Sequence, residues 1–247
     1  MTNPILVTGG TGRLGRALVP RLLSAGHAVR VLSRRPSSDE RMWRGDLVTG
    51  EGLEGAVGGV GVIVHCATGN GRADIAGTRN LIRAAARAGR PHLMYVSIVG
   101  VGRVDMAYYR AKLACERLVE RSALPWTIQR TTQFHELIVW MCTSQRWLPM
   151  IVMPGGVSFQ PVDAGEVADR LVTLVGAPPA GRVPDMGGPE VRPATDLARA
   201  YARSRSSRRP VVSVPMPGAG IRGYREGGHL TPEHADGRIT FEQFLAA

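Results

Sequence analysis

The sequence predicts an α/β chain: a doubly wound parallel sheet, followed by a small C-terminal region that forms a substrate-binding lid. Three observations carry this reading. Short β-branched runs alternate with helix-period segments through the first half; a glycine-rich turn joins the first run to the first helix; the alternation fades after Gln129. Short apolar strands separated by helices are the pattern of a parallel sheet covered on both faces.

Pro4 to Thr8 reads as a buried strand and leads through the glycine turn into a helix from about Arg13 to Ser24. Ala28 to Leu32 is the next strand, and a third short one precedes Gly45-Asp46-Leu47. Six glycines lie between Gly50 and Gly61. Each costs up to about 1 kcal/mol in a helix, so any helix there is weak. Val60 to Cys66, His92 to Ser97 and Trp126 to Gln129 are further strands, each after a helical stretch. A helix is expected from Phe134 to Cys142. Asp163-Ala-Gly-Glu166 and Thr240-Phe-Glu-Gln243 read as capping boxes, the first opening a helix to Val175 and the second a last helix. The tail from Pro178 to Ala247 is rich in Pro, Gly and Arg, and is expected to bury little by itself and to fold onto the sheet's edge as a lid. Residues 1–247 thus read as a single domain, with 1–132 as core and 133–247 as a mixed region.

The 247 residues, 44% of them hydrophobic, suffice for a substantial core. The net charge of +11 is spread along the chain, with one dense cluster at Arg203, Arg205, Arg208 and Arg209. Most of it reads as solvated surface, and no nucleic-acid motif is present. The cysteines, Cys66, Cys115 and Cys142, are odd in number and far apart, which fits a reducing compartment and no disulfide framework. No Cys/His group has metal-ligand spacing; His229 and His234 read as loop residues, and no metal is expected. With no secretory pattern and no apolar run near the roughly 20 residues of a membrane span, a cytoplasmic chain without membrane or nucleic-acid partners is expected.

The turn Gly9-Gly10-Thr11-Gly12-Arg13-Leu14-Gly15 carries glycines at Gly9, Gly12 and Gly15, directly after a strand and opening a helix. A backbone that turns under a pyrophosphate needs positions without Cβ, and the helix start then offers N–H groups and partial positive charge. This points to a dinucleotide. An acid that would meet a free ribose 2′-hydroxyl is missing after the second strand, where Arg34 and Arg35 stand instead. Guanidinium pairs with phosphate in bidentate fashion, so NADP(H) is expected over NAD(H). Asp46 could accept a bond from the adenine amino group.

Among 31 basic residues only Lys112 is a lysine, and Tyr108 precedes it by four. Residues four apart share a helix face. A compact ammonium fits where a planar guanidinium does not.

With these residues in view, the chain resembles the short-chain dehydrogenase/reductase superfamily in its NmrA-like, atypical branch, with the Rossmann fold. The resemblance spans nearly the whole chain. Besides the glycine turn it rests on Gly45-Asp46-Leu47, His65-Cys66-Ala67-Thr68, Gly77-Thr78-Arg79-Asn80-Leu81, Tyr95 to Gly100, Tyr108 to Lys112, Trp126 to Arg130 and Gln160-Pro161-Val162-Asp163. It implies that Leu47, Ala67 and Thr68 line the cofactor and that Thr131 and Thr132 lie near the nicotinamide. It further implies that Ser97 polarises a substrate carbonyl and Tyr108 exchanges its proton. Lys112 would hold the nicotinamide ribose and lower the Tyr108 pKa. An ammonium about 5 Å from a phenol, at an effective dielectric near 20, contributes about 3 kcal/mol, or roughly two pKa units. Two features depart from the family: Asp74 stands where catalytic members carry Asn, and the stretch from Ser97 to Tyr108 is short. Tyr109 could be the inward residue instead, leaving Tyr108 as helix packing.

A substrate would sit beyond the carboxyl ends of the strands, under Gln133, Phe134, His135, Leu137, Ile138, Trp140 and Met141. His135 could bond a substrate oxygen, while Phe134 and Trp140 suit helix packing as well as a ligand. The reading is an NADPH-dependent oxidoreductase for a small carbonyl or quinone-like substrate. A redox-sensing regulator without turnover, and an isomerase or dehydratase using bound cofactor transiently, are the alternatives. The helix of Tyr108 and Lys112 could pair with its copy in a homodimer.

Overall fold

The seven-stranded parallel sheet follows from the alternation in the sequence. The computed structural model describes residues 3–69 and 71–247. In chain order the elements are β1 (Ile5–Thr8), α1 (Arg13–Ser24), β2 (Val29–Ser33), β3 (Met42–Arg44), α2 (Leu53–Val57), β4 (Val62–His65), α3 (Arg72–Arg87) and β5 (His92–Ile98). They continue with α4 (Ala107–Glu120), β6 (Trp126–Thr131), α5 (His135–Thr143), β7 (Ile151–Pro154), β8 (Ser158–Phe159), α6 (Ala164–Val175) and β9 (Gly181–Arg182). The last are β10 (Arg192–Pro193), α7 (Ala194–Ser204), β11 (Val211–Val214), α8 (Ala219–Arg225) and α9 (Phe241–Ala246).

The chain divides into two compact units. The first holds residues 1–97, 110–130 and 167–184, and the second holds 98–109, 131–166 and 185–247. In the first unit the sheet runs β3-β2-β1-β4-β5-β6-β9. The reversal of order lies between β1 and β4, which pair in register from Ile5↔Val62 to Thr8↔His65. Ligands of open parallel sheets bind beyond the strand ends at such a reversal. The central strands β1 and β5 are buried on both faces, and Leu6, Ile63, Leu81, Leu93, Cys115 and Ile128 belong to one core. The six glycines shorten α2 to five residues, as expected.

The second unit has a core of its own, which corrects the expectation that the tail buries little. Ile138, Ile151, Met153 and Phe159 pack with Leu197, Ala198 and Phe241 of α7 and α9. Two small sheets, β8 with β10 antiparallel and β7 with β11 parallel, supply the backbone pairing. Such two- to four-residue strands have no periodicity to read. The Thr240 capping box forms as expected. The other forms by half. Asp163 Oδ1 accepts from the Gly165 and Glu166 N–H groups at 2.7 and 3.2 Å, but the Glu166 carboxylate accepts from the backbone of Arg238 and Ile239 instead.

Candidate active site

The first unit builds a cradle at the end of β1. Gly9 has φ +70°, and a Cβ there would stand 2.6 Å from the Ala67 nitrogen, so the turn passes against the backbone after β4. A Cβ on Gly15 would lie 2.3 Å from the Gly9 carbonyl oxygen. These two positions let the turn fold beneath the start of α1. The Gly12 N–H donates to Gly9 O at 2.9 Å, and Arg16 Nε to Thr11 O at 2.9 Å, holding the turn. First-turn N–H groups have no carbonyl one turn back, which leaves those of Leu14 and Gly15 facing the cradle. The Leu14 side chain is buried in the core, so only its main chain is offered there.

Arg34 and Arg35 follow β2 in a turn shaped by Ser33 Oγ, which accepts from the Arg35 N–H at 3.1 Å. Both are exposed, and neither guanidinium has an ion-pair partner among the described residues. The nearby acid Asp39 is taken by Arg41 at 2.7 Å; that hydrogen bond holds the Asp39 carboxyl down at about 2. Asp46 Oδ1 accepts from Val48 and Thr49 N–H, which curls the turn after β3. Asn80 Nδ2 donates to Leu47 O and Val48 O at 3.0 and 2.9 Å, and Gly77 lets α3 approach Leu47.

Asp74 has its own logic. Its two oxygens accept from the Gly69 N–H and from Thr68 Oγ1, the latter at 3.3 Å. A carboxylate offers two acceptors where an Asn offers one, so the acid latches the loop after β4. Beneath that loop lies a chain that sequence reasoning missed. His65 bridges Thr8 Oγ1 at 2.7 Å and Thr78 Oγ1 at 3.1 Å, and burial, then the Lys112 charge, pushes its pKa down to about 3. The signal was available for two of the three: Thr8 and His65 are polar residues attached to apolar runs.

Ser97 and Lys112 come together at the carboxyl end of β5. Lys112 is buried, its Nζ donates to Val96 O at 3.1 Å, and it lies 4.9 Å from the centre of the Tyr95 ring. The adjoining Ser97 Oγ is buried and has no hydrogen-bond partner among the described residues. Glu116, one turn after Lys112, forms a bidentate pair with Arg130 on β6 at 2.8 and 2.6 Å, which fixes the rotation of α4. The same helix carries Tyr108 four residues before Lys112.

In the second unit Tyr109, not Tyr108, is the inward tyrosine. Its hydroxyl bonds Tyr224 at 2.9 Å and accepts from Gln133 Nε2 at 3.2 Å; burial, then Tyr224, raises its pKa. Tyr108 is 37% exposed, and its ring meets that of Tyr109 edge-on with centroids 5.9 Å apart. Thr131 is buried. The Thr132 hydroxyl is engaged by Gln160 O and Gly188 N. Gln160 in turn clamps Gly188 and Thr231, another role the sequence did not disclose.

Two expectations for the second unit change. His135 is fully buried, with Nε2 at 3.0 Å from Ile239 O and its ring stacked on Phe244, so it packs α9 rather than bonding a substrate. Trp140 is 61% exposed, on the face of α5 opposite the buried Ile138 and Cys142, so it does not pack the helix. His229 lies in the turn after α8, as expected, but its side chain is buried against Tyr224 and bonds Ser158 O at 2.8 Å. Gln133 is buried with its Oε1 unpartnered, and Phe134 is the half-buried residue that starts α5.

Residues 9–136 match the family described as NAD(P)H-binding. The chain belongs to that family. Its strand order and glycine cradle are those of the Rossmann fold. An uncharacterised protein of Mycobacterium tuberculosis is 31% identical over 189 residues, 72% of this chain but only 19% of that relative's length. A (4-alkanoyl-5-oxo-2,5-dihydrofuran-3-yl)methyl phosphate reductase of Streptomyces griseus is 31% identical over 219 residues, 81% of this chain and 73% of its own. Among solved structures, a Staphylococcus aureus nucleoside-diphosphate-sugar epimerase (TM-score 0.80, 15% identity, 99% of this chain and 100% of that one) shares the fold. An Escherichia coli NADPH-dependent quinone oxidoreductase (0.79, 15%, 98% of each) shares it too. Among the described residues no helix is long and apolar enough to cross a membrane, and no cluster of ligands suits a metal.

Proposed function

We propose that this member of the NAD(P)H-binding family is an NADP(H)-dependent oxidoreductase that reduces a small carbonyl or quinone-like substrate. The observation that carries the reading is the buried Ser97 hydroxyl, without a partner one residue beyond the carbonyl that Lys112 bonds. Leaving such a group unsatisfied costs about 1–3 kcal/mol, which a substrate oxygen would offset. The reductase from Streptomyces griseus supports a reducing role.

The cradle at Gly9 and Gly15 fits a pyrophosphate, and the unpaired Arg34 and Arg35 suit a 2′-phosphate. When bound, the reduced nicotinamide supplies the hydride. Ser97 donates a hydrogen bond to the substrate oxygen. Tyr108 delivers the proton to that oxygen as its charge develops, and Lys112 stabilises the resulting phenolate.

The test is NADPH oxidation across a panel of aldehydes, ketones and quinones, with Ser97→Ala and Tyr108→Phe beside the parent. Losses of about 10²–10⁴-fold in turnover are expected for Tyr108→Phe. Unchanged turnover would remove Tyr108 from the chemistry, and no oxidation with any substrate would overturn the reading.

A further inference from the structure

We infer that a basic, aromatic face of the second unit docks onto an anionic lipid surface. Beyond α5 the chain continues in helical turns: Ser144 N–H donates to Trp140 O at 2.9 Å, Arg146 to Thr143 O at 3.1 Å and Leu148 to Gln145 O at 3.0 Å. Trp147 and Leu148 thus sit in the turns that directly follow the helix carrying Trp140. Trp147 is 77% exposed and Trp140 61%, with Leu148, 38% exposed, beside them. Two exposed indoles and an exposed leucine within the stretch 140–148 mark a surface that something covers.

The arginine segment is fastened to this turn. Arg209 Nη2 donates to Gln145 O at 2.5 Å and to Met150 O at 2.7 Å, which fastens the segment after α7 to the turn that carries Trp147. Arg146, Arg203, Arg205 and Arg208 are exposed and have no carboxylate partner among the described residues. Neither 137–162 nor 197–225 contains an Asp or Glu. The acids Glu190, Asp196 and Glu242 gather instead on Arg192, at the other end of α7.

Charge complementarity selects the occupant. A second copy of this face would set arginine against arginine. Nucleic-acid phosphates would suit the guanidinium groups, but Leu148 has no role on a phosphate backbone. Indole and leucine beside arginine match an interface where phosphates overlie acyl chains. The contact is peripheral, since no described helix crosses a membrane. It replaces the expectation of no membrane partner and stands independently of the oxidoreductase reading.

The full chain is to be sedimented with vesicles of phosphatidylglycerol and phosphatidylcholine, and with phosphatidylcholine alone, at low and high salt. Binding only to the anionic vesicles, weakened by salt, is expected, with a blue-shifted tryptophan emission quenched by brominated acyl chains. Trp140→Ala with Trp147→Ala should abolish the shift, and Arg205→Glu with Arg208→Glu should weaken binding at least about tenfold, with unchanged circular dichroism. No binding to anionic vesicles at low salt overturns the inference, as does binding without quenching or indifferent to the tryptophan pair. Preferential capture of a single-stranded oligonucleotide through the same residues overturns it in favour of nucleic acid.

Discussion

Lys112 Nζ donates to the Val96 carbonyl at 3.1 Å, and this bond ties the chain's only lysine to the strand end that carries Ser97. An arginine would keep the charge but force a wide planar fork into a buried site. Lys112→Arg is therefore expected to lose about a hundredfold in kcat/KM, the scale of a misplaced catalytic group. Overpacking should also cost about 1–3 kcal/mol of stability. Steady-state kinetics and thermal melts check both; an arginine variant with parental kinetics would show that charge alone is needed.

Gly9 has φ +70° with no room for a methyl group beside Ala67. Gly9→Ala should destabilise the chain by at least about 1 kcal/mol and weaken dinucleotide binding. Gly26, also at positive φ but with open space around it, is the control: Gly26→Ala should cost strain without touching affinity. Melts with and without NADPH separate the two effects.

Stability should fall with acid. Burial pushes His65 down to about 3 and His229 down to about 4, against an ordinary value of 6.5. Between those values the unfolded chain binds more protons than the folded one. The stabilisation is complete above about 6.5 and is lost progressively as pH falls from there towards the folded values, at up to about 1.4 kcal/mol per pH unit for each histidine. Chemical denaturation from pH 7 to 4 should show this slope, and His65→Gln should make it shallower by about one proton.

Arg34 and Arg35 are exposed, without an acid to neutralise them. Replacing both by Ala should raise KM for NADPH about tenfold to a hundredfold, the loss of one or two charge-assisted bonds, and leave KM for NADH nearly unchanged. Equal effects on both cofactors would assign the arginines elsewhere.

Much of the first unit was legible because its signals are local. The helix expected from Arg13 to Ser24 has those bounds, since the glycine turn starts it and Gly26 ends it. Ser97 and Lys112 meet because strand and helix periods put them there. The rest was hidden where side chains act across long sequence separations. Whether His135 faces a ligand or Phe241 and Phe244 depends on a helix over a hundred residues later. The exposure of Trp140 likewise required knowing which face α7 covers. Tyr109 outranks Tyr108 in burial only because Tyr224 arrives beside it from α8.

The most direct measurement is calorimetric titration of the full chain with NADPH and with NADH. Saturable heat with both, and at least tenfold tighter binding of NADPH, is the predicted result. Absence of heat with either nucleotide, at protein concentrations well above the expected dissociation constant, would contradict the cradle and everything built on it.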